Sequence, residues 1–317
     1  MNKTANLTVL FFVLTAVNTF AFGSKESSAA GGSLYSSPQP SIAQQTVREQ
    51  TRAEQVMKAL VEAYPRQIDR AEFRNNDWAV LMRGTWYFYA EGKLLPQNLL
   101  ASAAVYSPQP FYNYRAELPP WKTPDAEEAA RFRNMTNNRT QNPPRRSPHF
   151  FDDLWRAHNH GESYDRVKTI RFLGRSVTVH YLILENLSLV EEQILTAARS
   201  DPQLQTWINS ISSLEGWSWR NIAETQSRSY HSYGLAIDLI PKSYGGKETY
   251  WLWASNRRPE WWNISYNERY HPPSAVIKAF EKYGFIWGGN WTYFDTMHFE
   301  YRPEILILGG MSPEIRR

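Results

Sequence analysis

Two short segments of the 317-residue chain concentrate side chains that can do chemistry. The first is Ser229-Tyr230-His231-Ser232-Tyr233-Gly234-Leu235-Ala236-Ile237-Asp238, and the second is Asp295-Thr296-Met297-His298-Phe299-Glu300. Asp238 stands inside the apolar run AIDLI, where a lone carboxylate is costly to bury unless paired or bound to a metal. Ala236, on the same strand face, leaves room above it. Gly234 permits a tight turn that folds His231 back toward Asp238. Asp295 and His298 are three residues apart at a loop-to-strand junction. His298 and Glu300 share one strand face, and Phe299 points the other way. Two imidazoles and one carboxylate form a ligand set with one position left open, as in a catalytic rather than a structural zinc site. A spare carboxylate beside the last ligand can serve as general base for an attacking water. Taken singly, such a His is ordinarily a hydrogen-bonded core or surface residue and such an Asp a turn cap. The joint pattern is what points to a metal.

The elements that must position these groups are legible around them. Residues 235–240 read as a strand, as do 285–288 and 297–301. Residues 273–283 read as a short helix closed by Gly284. Further upstream, 169–173 and 176–184 alternate like strands around Gly174-Arg175. Ser188 with Glu191 forms a capping box ahead of an apolar-periodic helix. Asp201-Pro202 opens another helix, with Leu204, Trp207, Ile208 and Ile211 as its buried stripe. Residues 218–223 are a candidate strand. Strands and helices mix without regular alternation, so the expected class is α+β, with a small central antiparallel sheet and flanking helices.

The rest of the chain sets the context. Lys3, the apolar run 7–17 and Ala21-Phe22-Gly23 predict a signal peptide over 1–23, and hence a periplasmic or secreted protein. Residues 24–45, rich in Ser, Gly, Pro and Gln, read as a flexible spacer. Residues 46–146 are expected to be a mostly helical accessory region. It opens with Val56, Met57, Leu60, Val61 and Tyr64 at helical spacing before Pro65. The aromatic stretch 79–96 reads as strands or irregular chain. The Arg-rich, acid-free stretch 131–148 reads as a linker, which places a catalytic domain over 147–317. With no cysteines, disulfides, thiolate metal sites and a cysteine nucleophile are excluded. A net charge of +4 suits an anionic partner such as cell wall without demanding nucleic acid. His158-Asn159-His160 spells HNH, but HNH nucleases spread those residues over a longer unit. His149, His180 and His271 read as structural. The Trp-rich stretch 251–291 fits a core or a cleft.

The pattern SxHxxGxAxD, followed about sixty residues later by DxxHFE, resembles the zinc D-alanyl-D-alanine carboxypeptidase family. That family includes VanY-type carboxypeptidases and L-alanyl-D-glutamate endopeptidases, phage endolysins among them. The resemblance covers roughly residues 167–301. It implies Zn²⁺ bound by His231, Asp238 and His298, with Asp295 as general base. It also implies an arginine upstream of the first His that holds substrate carbonyl or carboxylate. Arg220, in WSWRNI, is favoured for that role, with Arg228 as the other candidate. Ser229 and Glu300, which match the motif, are expected at the substrate. The implied activity is hydrolysis of peptidoglycan stem peptides by a monomer with no membrane span after leader removal. The alternative is a non-catalytic zinc module that binds cell wall or a protein.

Overall fold

The computed structural model describes residues 42–315. The expected leader, and the spacer as far as residue 41, lie outside them. Helix α1 (Ile42–Ala63) buries Val56, Met57 and Leu60, the stripe read from the sequence, and stops before Pro65. A four-stranded antiparallel meander follows: β1 (Arg70–Arg74), β2 (Asp77–Met82), β3 (Thr85–Phe88) and β4 (Leu95–Pro96). Its two-residue turns, Asn75-Asn76 and Arg83-Gly84, take positive φ throughout, at 49° and 62° and at 49° and 81°. Their twist matches that of the flanking strands. The N-terminal region is therefore a mixture of helix and sheet, not the mostly helical element expected. Asparagine and glycine turns between aromatic runs outweigh its helical opening.

The stretch expected to be a linker is also structured. Most of it lies in α2 (Ala126–Gln141), started by a reciprocal capping box between Asp125 and Glu128. Arg139 is buried, donating to the Ala223 carbonyl at 3.2 Å and lying over the Tyr293 ring. Helices α3 (His149–Trp155) and α4 (His160–Tyr164) lead into the hairpin β5 (Val167–Phe172) and β6 (Arg175–His180). Helix α5 (Leu184–Ala198) starts one turn earlier than the Ser188 cap implied. Glu191 instead accepts the N–H of Leu173 at 2.5 Å. Helix α6 (Pro202–Ser210) is capped by Asp201, as its sequence indicated.

The second sheet carries the motif residues. Its order is β7 (Ile211–Glu215), β8 (Ala236–Pro241), β10 (His298–Tyr301), β9 (Phe285–Trp287), all antiparallel. Helix α7 (Trp251–Ser255) lies between β8 and β9 in sequence, α8 (Ser274–Lys282) runs into β9, and α9 (Pro303–Leu308) follows β10. Residues 218–223 form no strand, only a bridge from Asn221 to Arg228. One apolar core runs from Val56 through Val80 and Phe150 to Phe299 and Tyr301, so it crosses the boundary expected at 146/147. Polar ties cross it too. Tyr64 donates to Glu304, and Tyr114 to Glu281, each at 2.6 Å. A second cluster packs Trp251, Trp261, Trp262, Tyr293 and Phe294 against Phe132 and Met135 of α2. Those tryptophans fill a core. No helix among the described residues is long and apolar enough to cross a membrane.

Candidate metal centre

Strand register places the ligands. Asp238 sits mid-strand in β8, with Glu215 opposite it on β7 and His298 opposite it on β10. His231 arrives from a 3₁₀ turn, residues 230–233, in which Ser229 Oγ accepts the His231 N–H at 3.3 Å. Gly234 ends that turn at φ 70°, and a Cβ there would lie 2.7 Å from the His180 nitrogen. Only glycine satisfies both the conformation and the close approach. Gly216 is equally confined, since a Cβ would meet the Thr178 carbonyl oxygen at 2.2 Å.

The three side chains converge. Nε2 of His231 lies 3.3 Å from Nδ1 of His298 and 3.3 Å from Oδ2 of Asp238. Nδ1 of His298 lies 2.8 Å from Oδ1 of Asp238. All three residues are buried. Tetrahedral bonds of about 2.0–2.1 Å hold donor atoms about 3.3–3.4 Å apart, so these separations suit one small divalent cation. The opposite ring nitrogens fix the tautomers. Nδ1–H of His231 donates to the Gly216 carbonyl at 2.5 Å, and Nε2–H of His298 donates to Glu300 at 3.1 Å. In those neutral tautomers each ring turns its lone pair toward Asp238, the carboxylate–histidine support usual around metal ligands. Among the described residues this is the one His/Asp/Glu cluster able to hold a metal.

Electrostatics favour a cation at this centre. Burial disfavours the Asp238 carboxylate, but His231 and His298 outweigh it and hold the group well below its ordinary range. Burial also opposes a charged His298. Asp238 and Glu300 override it and push the imidazole up to about 10. Both shifts favour positive charge beside Asp238. Asp295 opens the turn that leads into β10, and its Oδ1 accepts the Met297 N–H at 3.3 Å. Burial, then the Asp238 charge, push Asp295 up to about 8. A bound cation pulls such a carboxyl back down.

The other expected site residues separate. Arg220 is mostly buried, and its Nε and Nη2 have no hydrogen-bond partner. Its charge is felt by Asp238, Glu215 and Asp295 together. Arg228 is committed elsewhere, paired with Asp152, donating to the Ala157 carbonyl at 3.1 Å and lying over Trp219 at 4.3 Å. Ser229, expected at the substrate, is buried and caps the His231 turn. Glu300, also expected there, is buried and shared between His298 and Arg302. Both position ligands, because their oxygens are already occupied by protein donors. Sequence reasoning missed Glu215, half-buried beside Asp238 and pushed up to about 7 by burial and then by that charge. It also missed the Gly216 carbonyl, which leaves no side-chain signal.

Comparison with known proteins adds two matches. Residues 223–301 match a family model described as D-alanyl-D-alanine carboxypeptidase. Residues 56–111 match a model for a domain of unknown function. No curated protein and no solved structure matches the chain. The first match spans His231, Asp238, Asp295 and His298 and begins after Glu215, Gly216 and Arg220. Over those residues the chain is similar to a peptidase family whose members depend on a metal.

Proposed function

We propose that this protein is an exported zinc peptidase that hydrolyses peptidoglycan stem peptides, as a D,D-carboxypeptidase or an L-alanyl-D-glutamate endopeptidase. The observation that carries the reading is the convergence of His231, Asp238 and His298 with a second buried carboxyl, Asp295, beside them. A non-catalytic zinc module has no use for Asp295. When bound, zinc supplies Lewis acidity, polarising a carbonyl and acidifying water.

The chain's own groups do the rest. The Gly216 carbonyl and Glu300 hold both imidazoles in the tautomer that leaves a lone pair free for the centre. The Asp295 carboxylate takes the proton of the attacking water and returns it to the leaving amine. Arg220 presents two unpaired N–H donors to a substrate carboxylate or to the developing oxyanion. Glu215, half-buried beside Asp238, lies close enough to Arg220 for each charge to act on the other.

The test is incubation of purified protein with muropeptides, followed by mass spectrometry of the products. Cleavage that stops with a chelator and returns with zinc supports the reading, and the mass lost identifies the bond. A folded, zinc-loaded protein that leaves all stem peptides intact would rule it out.

A further inference from the structure

Beside the turn that carries His231 lies a cavity of about 20 Å³. Its wall includes Gln109, Arg146, Ser147, Arg228 and Tyr230. Four polar atoms of these lining residues are buried without a hydrogen-bond partner: Nη1 and Nη2 of Arg146, Oγ of Ser147 and the hydroxyl of Tyr230. The Arg146 guanidinium donates only through Nε, to the Pro108 carbonyl at 3.2 Å. The neighbouring carboxylates are engaged elsewhere. Asp152 serves Arg228 and Tyr233, Glu300 serves His298 and Arg302, and Glu304 serves Arg302 and Tyr64. Burial, then the positive charge of Arg139, push the Arg146 guanidinium down to about 9, and Arg302 adds to the effect.

We propose that this cavity binds one small monovalent anion, chloride, held by Nη1 and Nη2 of Arg146 and by the hydroxyls of Ser147 and Tyr230. A guanidinium is all donor, and both hydroxyls can turn their hydrogens inward, so the wall asks for an acceptor. Water accepts hydrogen bonds but leaves the buried cation uncompensated, which is costly. The space is small, which suits a single small ion. The anion would join the chain before α3 to the motif turn. Tyr230 precedes His231, and its ring lies 4.7 Å from the Arg302 guanidinium, which also reaches Glu300. The site is independent of the proposed peptidase activity.

Thermal melting of the full chain tests this, with sodium gluconate exchanged for chloride or bromide at constant ionic strength. A saturable rise in melting temperature with either halide is expected, because a ligand that binds only the folded state stabilises it. Arg146→Gln should abolish the rise. Crystals grown in bromide should show an anomalous peak between Arg146 and Tyr230. Identical melting of the wild-type chain in gluconate and halide, or a water at that position in bromide crystals, overturns the proposal. If Arg146→Gln does not fold, Tyr230→Phe and Ser147→Ala decide. Each should raise the half-saturating halide concentration about fivefold, the worth of one net hydrogen bond. Unchanged half-saturation in both also overturns it.

Discussion

Replacing Glu300 by Gln separates a residue that orients a ligand from one that touches substrate. The carboxylate accepts Nε2–H of His298 at 3.1 Å and Nη1–H of Arg302 at 3.4 Å, with no water-exposed surface of consequence. An amide cannot serve both donors. If its oxygen stays on His298, its NH₂ faces the Arg302 guanidinium. If it flips, the NH₂ faces Nε2 and drives the proton to Nδ1, the nitrogen that looks at Asp238. The first arrangement leaves a buried donor unsatisfied, at about 1–3 kcal/mol, and the second puts a proton on the nitrogen that a metal would need. Loss of such a partner typically lowers metal affinity about 10–100-fold. Arg302 keeps its ion pair with Glu304, so Glu300→Gln should still fold. Zinc affinity is measured by competition with a chromophoric chelator, alongside kcat and KM at saturating zinc. The expected outcome is weaker zinc binding with nearly unchanged KM. Unchanged zinc affinity with a raised KM would mean that Glu300 meets substrate, and the positioning argument would fail.

Asp295→Ala should retain zinc and lose about 10²–10⁴-fold in kcat, the usual worth of a general base, read by muropeptide turnover. The two arginines should part company. Arg220→Gln should lower kcat/KM with little change in melting temperature. Arg228→Ala strands the buried Asp152 carboxylate and should cost about 3 kcal/mol in chemical denaturation. His180 is buried, and desolvation lowers its pKa to about 4, so the folded state resists its protonation. Its contribution is whole above pH 6.5 and is lost as pH falls toward 4, about 3 kcal/mol in all. Denaturation midpoints of wild type and His180→Asn should therefore converge as the pH is lowered through that window. Parallel curves would exclude the assignment. A chain starting at residue 147 loses Val56, Leu60, Val80 and Tyr87 from the shared core. It should be aggregated by size-exclusion chromatography, and a monodisperse product would refute this.

The centre was readable because strand geometry leaves few options. Once 235–240 and 297–301 are strands, Asp238 and His298 need only the right register to face each other. The turn at Gly234 then fixes His231. What escaped was either backbone or shared. The Gly216 carbonyl has no side chain, and Glu215 ends an unremarkable ISSLE strand. The motif position of Glu300 suggested substrate where the fold uses it for His298. Helix α2 was missed because Ala129, Phe132 and Met135 are its only apolar face in an otherwise Arg- and Asn-rich sequence. The Asp125–Glu128 box was its one clear signal. The N-terminal sheet was half legible, as aromatic strands without a partner.

The placement of the proposed ligands bears on how such a protein would acquire a metal. Zinc-finger domains have little core, and their fold arrives with the ion. Here the ligands hang from a sheet whose strands are buried by Phe280, Phe285 and Phe299, and two of them face each other as an ion pair that a proton satisfies. The polypeptide can be complete before any cation reaches it. Loading then becomes an exchange of protons for metal on a finished scaffold, reversible by chelation and steeper in alkaline than in acidic surroundings. Scarcity of metal would leave an intact but idle protein rather than an unfolded one.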